Sequence, residues 1–129
     1  MSVWYLDTSV ALKLLIEEAE SPALAQTVDS EQPDFVACWL LEIELRRAAQ
    51  GLGMLGMAAI SDFLTGVSLY EMPGSSLREA GILPGETLRS LDALHLAAAV
   101  RIGVDLVLTY DERMSESAQQ LGLRVLSPG

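Results

Sequence analysis

The chain has 129 residues, half of them hydrophobic and a fifth charged, so it is long enough to fold as one domain over residues 1–129 and does not belong to the disordered class. Its 18 acidic and 8 basic residues give a formal charge of −10, which argues against a broad basic surface for nucleic acid and leaves only local contacts. A lone cysteine, no signal-peptide pattern and no apolar run near the roughly 20 residues of a membrane span favour a cytoplasmic protein with no membrane partner.

The first third of the chain predicts strands alternating with helices. The apolar and aromatic run "VWYL" is a strand candidate, and the pattern from Ser9 to about Glu18 is helical. A second helix is expected in "ESPALAQTVDS", with Ser21 as its N-cap and Pro22 at its first helical position. The run "DFVAC" then predicts the second strand.

The middle of the chain predicts two helices, a third strand and a long connection. A helix is expected from about Trp39 to Gln50, followed by the glycine-rich break "GLGMLG" and a further helix through about Phe63. The segment "VSLYEM" predicts a strand. The turn-rich segment "PGSSLREAGILPGETLRS" is expected to be a surface connection that carries one short helix.

The last third of the chain continues the alternation. An apolar helix is predicted from Ser90 to Ile102, closed by Arg101 in its last turn and by Gly103 just beyond it. The segment "VDLVLT" predicts a strand, "DERMSESAQQLG" a helix and "RVL" a last short strand. Strands that alternate with helices predict the α/β class, with a parallel sheet covered on both faces. Ligands of such sheets bind beyond the carboxyl ends of the strands, where the strand order reverses.

Two acids follow predicted strands. Asp7 comes directly after the first strand and Asp111 just after the fourth, with hydroxyls nearby at Thr8, Ser9 and Thr109. Because the carboxyl ends of parallel strands share one edge of the sheet, both acids are expected at that edge. Each of them could equally cap the helix that follows it, since negative charge is favoured at a helix N-terminus.

Asp92 is the one acid in "LDALHLAAAV", a segment whose helix is apolar nearly all round and is therefore expected to be buried. A carboxylate near a core must be paired, hydrogen-bonded or bound to a metal. A first-turn acid behind a Ser90 N-cap explains the same spacing. His95, the only histidine, lies one turn further on and is interpreted as a satisfied, partly buried imidazole rather than a ligand.

Two acids in "LLEIELRRAA" differ in the direction they face. At about 100° per residue, the apolar stripe of this helix centres near Leu41, Leu45, Ala48 and Leu52. Glu44 falls roughly 60° from that centre, whereas Glu42 falls roughly 100° away on the other side, where it can pair with Arg46. The pattern therefore favours Glu44 as the inward acid and Glu42 as the solvated one.

Four carboxylates at one edge would repel one another and raise their own pKa values unless cations lie between them. Oxygen ligands from Asp and Glu favour hard divalent ions, Mg²⁺ or Mn²⁺, over zinc. Such ions recruit phosphate oxygens and activate a bound water for attack on a phosphodiester. The chemistry that follows is phosphodiester hydrolysis without a histidine base, in which bridging metal lets an acidic protein hold RNA.

Several segments together carry a resemblance to a known family. In chain order they are "YLDTSVALKLL", "LLEIELRRAA", "LRSLDALHLAAAV", "LVLTYDERM" and "LGLRVLSPG". In this order and spacing they resemble the PIN-domain ribonucleases, and within them the VapC-type toxins of bacterial and archaeal toxin–antitoxin pairs. The resemblance covers essentially the whole chain and implies a compact three-layer α/β/α sandwich with a parallel sheet of about five strands.

The resemblance also implies an activity, residue roles and partners. The activity is that of a Mg²⁺- or Mn²⁺-dependent endoribonuclease. The catalytic and metal-binding acids of the family fall on Asp7, Glu44, Asp92 and Asp111, and its supporting polar positions on Ser9 and Thr109. The implied partners are an RNA substrate, a small VapB-like antitoxin whose tail lies in the active-site groove, and a second copy in a homodimer.

The few bases near these acids have two interpretations. They are Arg46, Arg47, Arg89 and Arg113. Each could contact RNA or form an ordinary surface ion pair with a neighbouring acid.

Three other functions fit parts of the pattern. A haloacid-dehalogenase-like phosphatase with Asp7 as nucleophile expects a second acid two residues later, where this chain has Ser9. A response-regulator-like module expects an acid after the third strand and a lysine late in the chain, but Lys13 is the only lysine. A PIN-fold protein that binds RNA or an antitoxin without cleaving is the non-enzymatic alternative.

Overall fold

The computed structural model describes residues 2–53 and 55–129, so Met54, in the predicted glycine-rich break, lies outside the described residues. The described elements are, in chain order, β1 (Val3–Leu6), α1 (Thr8–Leu15), α2 (Ser21–Glu31), β2 (Asp34–Cys38), α3 (Leu40–Leu52), α4 (Met57–Leu64), β3 (Val67–Tyr70), α5 (Ser75–Gly81), α6 (Ser90–Ile102), β4 (Leu106–Leu108), α7 (Glu112–Gln120) and β5 (Arg124–Leu126). Short strands are separated by helices throughout this order, as the sequence predicts.

The strands form one parallel sheet in the order β3-β2-β1-β4-β5. The chain therefore starts at the centre, builds one half of the sheet outwards through β2 and β3, and then returns to build the other half through β4 and β5. Right-handed crossovers in opposite directions put helices on opposite faces of the sheet. The first four helices contact one another, as do the last three, which gives the predicted α/β/α sandwich.

The order of the strands reverses between β1 and β4, and this is where the sheet ends next to the acids. Tyr5 pairs with Val107 and Leu6 with Leu108, so the two strands finish side by side. The N–H of Asp7 donates to the carbonyl of Leu108 at 3.2 Å, which extends the pairing one residue further. The predicted ligand edge is thus a crevice with Asp7 at its floor.

The core lies on both sides of the adjacent strands β1 and β4. The side chains of Tyr5, Leu6, Val107 and Leu108 are fully buried, as expected for strands covered on both faces. Helix α6 covers one face with a run of small residues, and its bounds are those that the sequence predicts. Burial of a large aliphatic side chain contributes about 1.5–3 kcal/mol, so these strands fix the edge that carries the acids.

Helix α1 is shorter than predicted, because it ends at Leu15 instead of near Glu18. Ile16 is extended, with φ −125° and ψ 131°. The chain then turns back on the helix, since the Ser21 hydroxyl donates to the carbonyl of Lys13 at 2.6 Å. The predicted N-cap is also wrong, because Ser21 is already the first helical residue of α2 and its hydroxyl is used in this turn.

The apolar stripe of α3 is centred slightly differently from the prediction. Its buried residues are Leu41, Leu45 and Ala49, whereas Leu52 is 49% exposed. The stripe therefore rotates towards Ala49, and the last turn of the helix extends beyond the core. Glu44 stays on the inward side, since it is half-buried and its carboxylate contacts Thr8 and His95.

Two predicted strands are also longer than the observed ones. β3 ends at Tyr70, where the chain leaves the sheet ahead of Pro73, and β4 comprises only Leu106–Leu108.

No helix in the described part of the chain is both long and apolar enough to cross a membrane.

Candidate metal centre

The acids that the sequence singles out lie together at the carboxyl edge of the sheet. Asp7 follows β1 and Asp111 precedes α7, just beyond β4. Glu44 lies in the second turn of α3 and Asp92 in the first turn of α6. All four line one open cleft of about 400 Å³. The fold therefore brings side chains from four separate segments to one site.

Asp7 is nearly buried, with 5% of its surface exposed. Its Oδ2 atom accepts hydrogen bonds from the hydroxyls of Ser9 and Thr109, each at 2.8 Å. Although Asp7 occupies the N-cap position of α1, its side chain makes no capping bond, so the capping interpretation is wrong for this residue. Its Oδ1 atom accepts no hydrogen bond from the described residues and is left for a ligand in the cleft.

Asp111 does cap a helix, because its Oδ1 atom accepts the backbone N–H of Met114 at 3.0 Å. The capping interpretation is therefore confirmed here, but the cap uses only one of the two carboxylate oxygens. The N–H of Asp111 donates to the hydroxyl oxygen of Thr109 at 3.0 Å, and that hydroxyl donates to Asp7. Thr109 thus ties the two acids to each other across β1 and β4.

Glu44 is held from two sides through a single oxygen. Its Oε1 atom accepts a hydrogen bond from the Thr8 hydroxyl at 2.8 Å and lies 2.5 Å from Nε2 of His95. Burial alone would raise the pKa of this carboxyl, but its hydrogen bonds and the positive charge of His95 lower it below the usual value. Glu44 is therefore an ionised acid whose second oxygen, Oε2, has no bond to the described residues.

His95 is a fully buried and satisfied imidazole, as the sequence predicts, although its burial is complete rather than partial. Its Nδ1 atom is 2.7 Å from the Tyr5 hydroxyl and 3.6 Å from Sγ of Cys38. Burial lowers the pKa of an imidazole, but the hydrogen bonds to Cys38 and Glu44 outweigh that effect and raise it to about 10. His95 therefore faces Glu44 as a cation.

Asp92 lies across the cleft with no hydrogen bond to its carboxylate among the described residues. Partial burial raises the pKa of Asp92, and the nearby negative charges of Asp7 and Asp111 raise it further. The N-cap position of α6 is occupied by Arg89, whose side chain makes no capping bond, so the predicted Ser90 cap is wrong, whereas Asp92 does lie in the first turn of α6. Asp92 is an acid held against other acids.

The donors in this cleft fit a hard divalent cation. Asp7, Glu44 and Asp111 each use one carboxylate oxygen for bonds within the protein and leave the other free. All of these candidate ligand atoms are carboxylate oxygens, which suit Mg²⁺ or Mn²⁺. Within the described ranges, no three His, Cys, Asp or Glu side chains lie close enough together to enclose a metal ion by themselves. An ion in this open cleft would keep several waters, as Mg²⁺ does in sites that also bind phosphate.

Of the four bases that lie near the acids in the sequence, one lines the cleft and three lie elsewhere. Arg46 pairs with Glu42 at 3.0 Å on the surface of α3, which confirms the solvated interpretation of Glu42. Arg89 lines the cleft beside the acids. Arg113 instead lines a separate depression next to α7, and Arg47 is exposed on α3.

Sequence reasoning missed the contacts that hold Glu44. The sequence presents Thr8 only as a hydroxyl near Asp7 and His95 only as a satisfied imidazole. A signal was present in the spacing of α6, because His95 is one helical turn from Asp92 and so shares its face. Nothing in the sequence showed that this face meets α3.

Comparisons with known proteins show which family the chain resembles along its whole length. The family model for the PIN domain matches residues 4–119. Ribonuclease VapC46 of Mycobacterium tuberculosis (strain ATCC 25618 / H37Rv) is 40% identical over 131 residues, which cover 99% of each chain. Ribonuclease VapC35 of Mycobacterium tuberculosis (strain CDC 1551 / Oshkosh) is 36% identical over 97% of this chain and 96% of that relative.

Among solved structures, a toxin–antitoxin complex from Klebsiella pneumoniae contains a chain with the same fold, with a TM-score of 0.73 at 15% identity over 100% of this chain and 98% of that one. At this identity the likeness concerns the fold alone, whereas the two relatives match along the sequence as well. The chain belongs to the PIN-domain family and, within it, groups with the VapC ribonucleases.

Proposed function

We propose that this protein is an endoribonuclease that hydrolyses phosphodiester bonds of RNA with the help of Mg²⁺ or Mn²⁺, and that it acts as the toxin of a toxin–antitoxin pair. The catalytic and metal-binding residues are Asp7, Glu44, Asp92 and Asp111. The observation that carries the proposal is that four carboxylates line one cleft of a chain whose relatives are named ribonucleases.

The division of oxygens within each carboxylate explains how the chain would hold the ion. Hydroxyls of Ser9 and Thr109 fix Oδ2 of Asp7, and the cap of α7 fixes Oδ1 of Asp111, so the opposite oxygens remain available to an ion. Asp92 contributes a carboxylate with no internal partner. A divalent ion held by these residues would supply an activated water and neutralise charge on the phosphate.

The remaining role of the cleft is to bind the substrate. Arg89 is the cation that lines it beside the four acids, and a guanidinium suits a phosphate because it donates two parallel hydrogen bonds. Ser90 adds a hydroxyl at the same opening. RNA is therefore held by local contacts, which agrees with the acidic charge of the whole chain.

Cleavage of a panel of structured RNAs in Mg²⁺, in Mn²⁺ and in EDTA tests this function directly. Wild type is expected to cleave only with a divalent ion, and Asp7→Asn and Asp92→Asn to lose cleavage while staying folded. Cleavage in EDTA, or cleavage unaffected by both substitutions, would overturn the mechanism. RNA binding without cleavage under every condition would instead favour a non-cleaving PIN-fold binding protein.

We propose a small VapB-like antitoxin as the protein partner, because the structural neighbour from Klebsiella is a toxin–antitoxin complex. Genomic context gives the first test, since a short adjacent reading frame with a DNA-binding N-terminus is expected. Co-purification of its product with this chain, and loss of RNA cleavage in that complex, would support the pairing.

Two further parts of the proposal are homodimer formation, which the family resemblance implies, and a cytoplasmic location, which the lone cysteine favours. Light scattering coupled to size-exclusion chromatography measures the oligomeric state, and a monomer at all concentrations would contradict the first. Fractionation of cells that express a tagged chain tests the second.

A further inference from the structure

The carboxylate of Glu44 on α3 is fixed by hydrogen bonds from two other helices. Its Oε1 atom accepts one hydrogen bond from Thr8, at the start of α1, and a second from His95 on α6. A carboxylate oxygen has two lone pairs, so both are used. Three helices therefore determine the side-chain orientation of Glu44, and only its Oε2 atom remains for the cleft.

The imidazole of His95 is itself held from behind by the centre of the sheet. Its Nδ1 atom lies 2.7 Å from the Tyr5 hydroxyl, and the ring packs edge-on against that of Tyr5 with centroids 5.7 Å apart. The Tyr5 hydroxyl accepts the N–H of Cys38 and donates to its Sγ, both at 3.2 Å. With Nδ1 anchored in this way, Nε2 points at Glu44 and must donate, because an ionised carboxylate can only accept.

A comparison with Glu42 shows that acidic side chains on α3 are not generally fixed in this way. Glu42, two residues away on the same helix, pairs with Arg46 through side chains that are each 31% exposed. The Glu44 contact instead reaches a side chain with no exposed surface. Complete burial of a histidine is costly unless its hydrogen bonds are made. The bond between His95 and Glu44 therefore differs in kind from the exposed pair of Glu42 and Arg46.

We infer that His95 and Thr8 are positioning residues, which act through Glu44 by aiming its Oε2 atom at the divalent ion. The inference rests on the proposed function, because it assigns Glu44 as a metal ligand. Neither residue is proposed to touch the ion or the RNA. Residues that orient a metal ligand in this manner commonly account for roughly 10–100-fold in metal affinity or activity.

Metal binding tests the inference without reliance on catalysis. Isothermal titration of the full chain with Mn²⁺ is carried out on two matched pairs of variants. His95→Leu removes the donor to Glu44, whereas His95→Gln places an amide N–H near the position of Nε2. Thr8→Val removes the hydroxyl with little change in shape, and Thr8→Ser keeps it. We expect His95→Leu and Thr8→Val to weaken Mn²⁺ binding by roughly 10–100-fold and the conservative partners to recover most of it.

A loss of folding stability alone must not be mistaken for positioning. Leu96→Ala serves as the control, because Leu96 is the fully buried neighbour of His95 on α6 and its apolar side chain cannot hydrogen-bond to Glu44. It is expected to lower the unfolding midpoint and to leave Mn²⁺ affinity at the wild-type value. Should His95→Leu fail to fold, the Thr8 pair decides the question, since Thr8 lies at the cleft rather than in the core.

Glu44→Gln separates this inference from the proposed function. Weaker Mn²⁺ binding in Glu44→Gln together with unchanged binding in both His95→Leu and Thr8→Val would overturn the positioning roles and leave the metal site standing. Unchanged binding in Glu44→Gln would overturn Glu44 as a ligand and the inference with it. Weaker binding in all three, with recovery in Thr8→Ser, supports it.

Discussion

Thr109 illustrates how one small side chain organises two acids. It is fully buried, donates its hydroxyl to Asp7 and accepts the backbone N–H of Asp111. No other described side chain bonds to both of these residues at once. The geometry of the Asp7 carboxylate and the start of α7 therefore depend on the same oxygen atom.

Replacement of Thr109 by Val should disturb both, because valine has the same shape but neither donates nor accepts. We expect RNA cleavage to fall by roughly 10–100-fold. The free energy of unfolding should drop by about 1 kcal/mol, since the N–H of Asp111 loses its partner in a partly buried position. Cleavage assays and chemical denaturation measure the two effects. Thr109→Ser keeps the oxygen and is the matched control, and equal losses in both variants would argue against a role for the hydroxyl.

Asp92 should have opposite effects on the stability of the metal-free and the metal-bound protein. Burial and the charges of Asp7 and Asp111 raise its pKa in the folded state, so the folded protein binds this proton more tightly than the unfolded chain does. The stability gained from protonation is present below the unfolded pKa and is lost as the pH rises through the raised folded pKa. At neutral pH the ionised Asp92 thus destabilises the metal-free protein.

Asp92→Asn is therefore expected to raise the thermal midpoint of the metal-free protein at neutral pH. Mn²⁺ should raise the midpoint of wild type, because a ligand that binds only the folded state stabilises it, and should have much less effect on the variant. Thermal unfolding with EDTA and with Mn²⁺ gives all four values. A lower midpoint for the metal-free variant would contradict repulsion within the cluster.

How far the site could be predicted from the sequence depends on the range of each contact. Asp7 and Asp111 were predictable because an acid at a strand end is placed by the sheet itself, and Glu44 because helical periodicity turns it inward. The bonds to Glu44 were not, since Thr8 is 36 and His95 is 51 positions away along the chain. They depend on how α1, α3 and α6 approach one another, which periodicity within one helix does not report.

At the scale of elements, the connection between α5 and α6 sets where α6 begins and hence where Asp92 lies. Gly85 in this connection has φ +115° and approaches α7 so closely that an added Cβ would lie 2.1 Å from the hydroxyl oxygen of Ser117. Ser117 is itself buried. Only glycine meets both requirements, because it tolerates this backbone conformation and leaves the space empty.

Gly85→Ala should therefore lower the free energy of unfolding by about 2–5 kcal/mol, through backbone strain combined with overpacking. Gly103→Ala is the matched control, because Gly103 also has a positive φ, +78°, but no neighbour within 4 Å of the added Cβ. Strain alone predicts a loss of roughly 1–2 kcal/mol there. Denaturant unfolding of both variants measures the difference. Equal losses would show that contact with Ser117 contributes nothing.

At the scale of the whole molecule, the charge of −10 must shape the way RNA is bound. Long-range attraction between this protein and a polyanion is absent, since acids outnumber bases by 18 to 8. Arg89 lies at the cleft, whereas Arg46 is already paired with Glu42. Under the proposed function, divalent ions held by the carboxylates of the cleft would therefore supply most of the attraction.

RNA affinity should accordingly depend strongly on divalent ions and weakly on monovalent salt. A substrate with a non-hydrolysable linkage is expected to bind in Mn²⁺ and to dissociate in EDTA. With Mn²⁺ fixed, the logarithm of the affinity should fall with the logarithm of KCl concentration with a slope of about −1, since single strands lose roughly 0.7 per phosphate neutralised by a protein cation. Fluorescence anisotropy across a KCl series gives this slope, with Asp7→Asn as the control that loses the Mn²⁺ effect. Tight binding in EDTA with a steep slope would mean that a basic surface outside the cleft holds the RNA, because only many protein cations produce such a dependence.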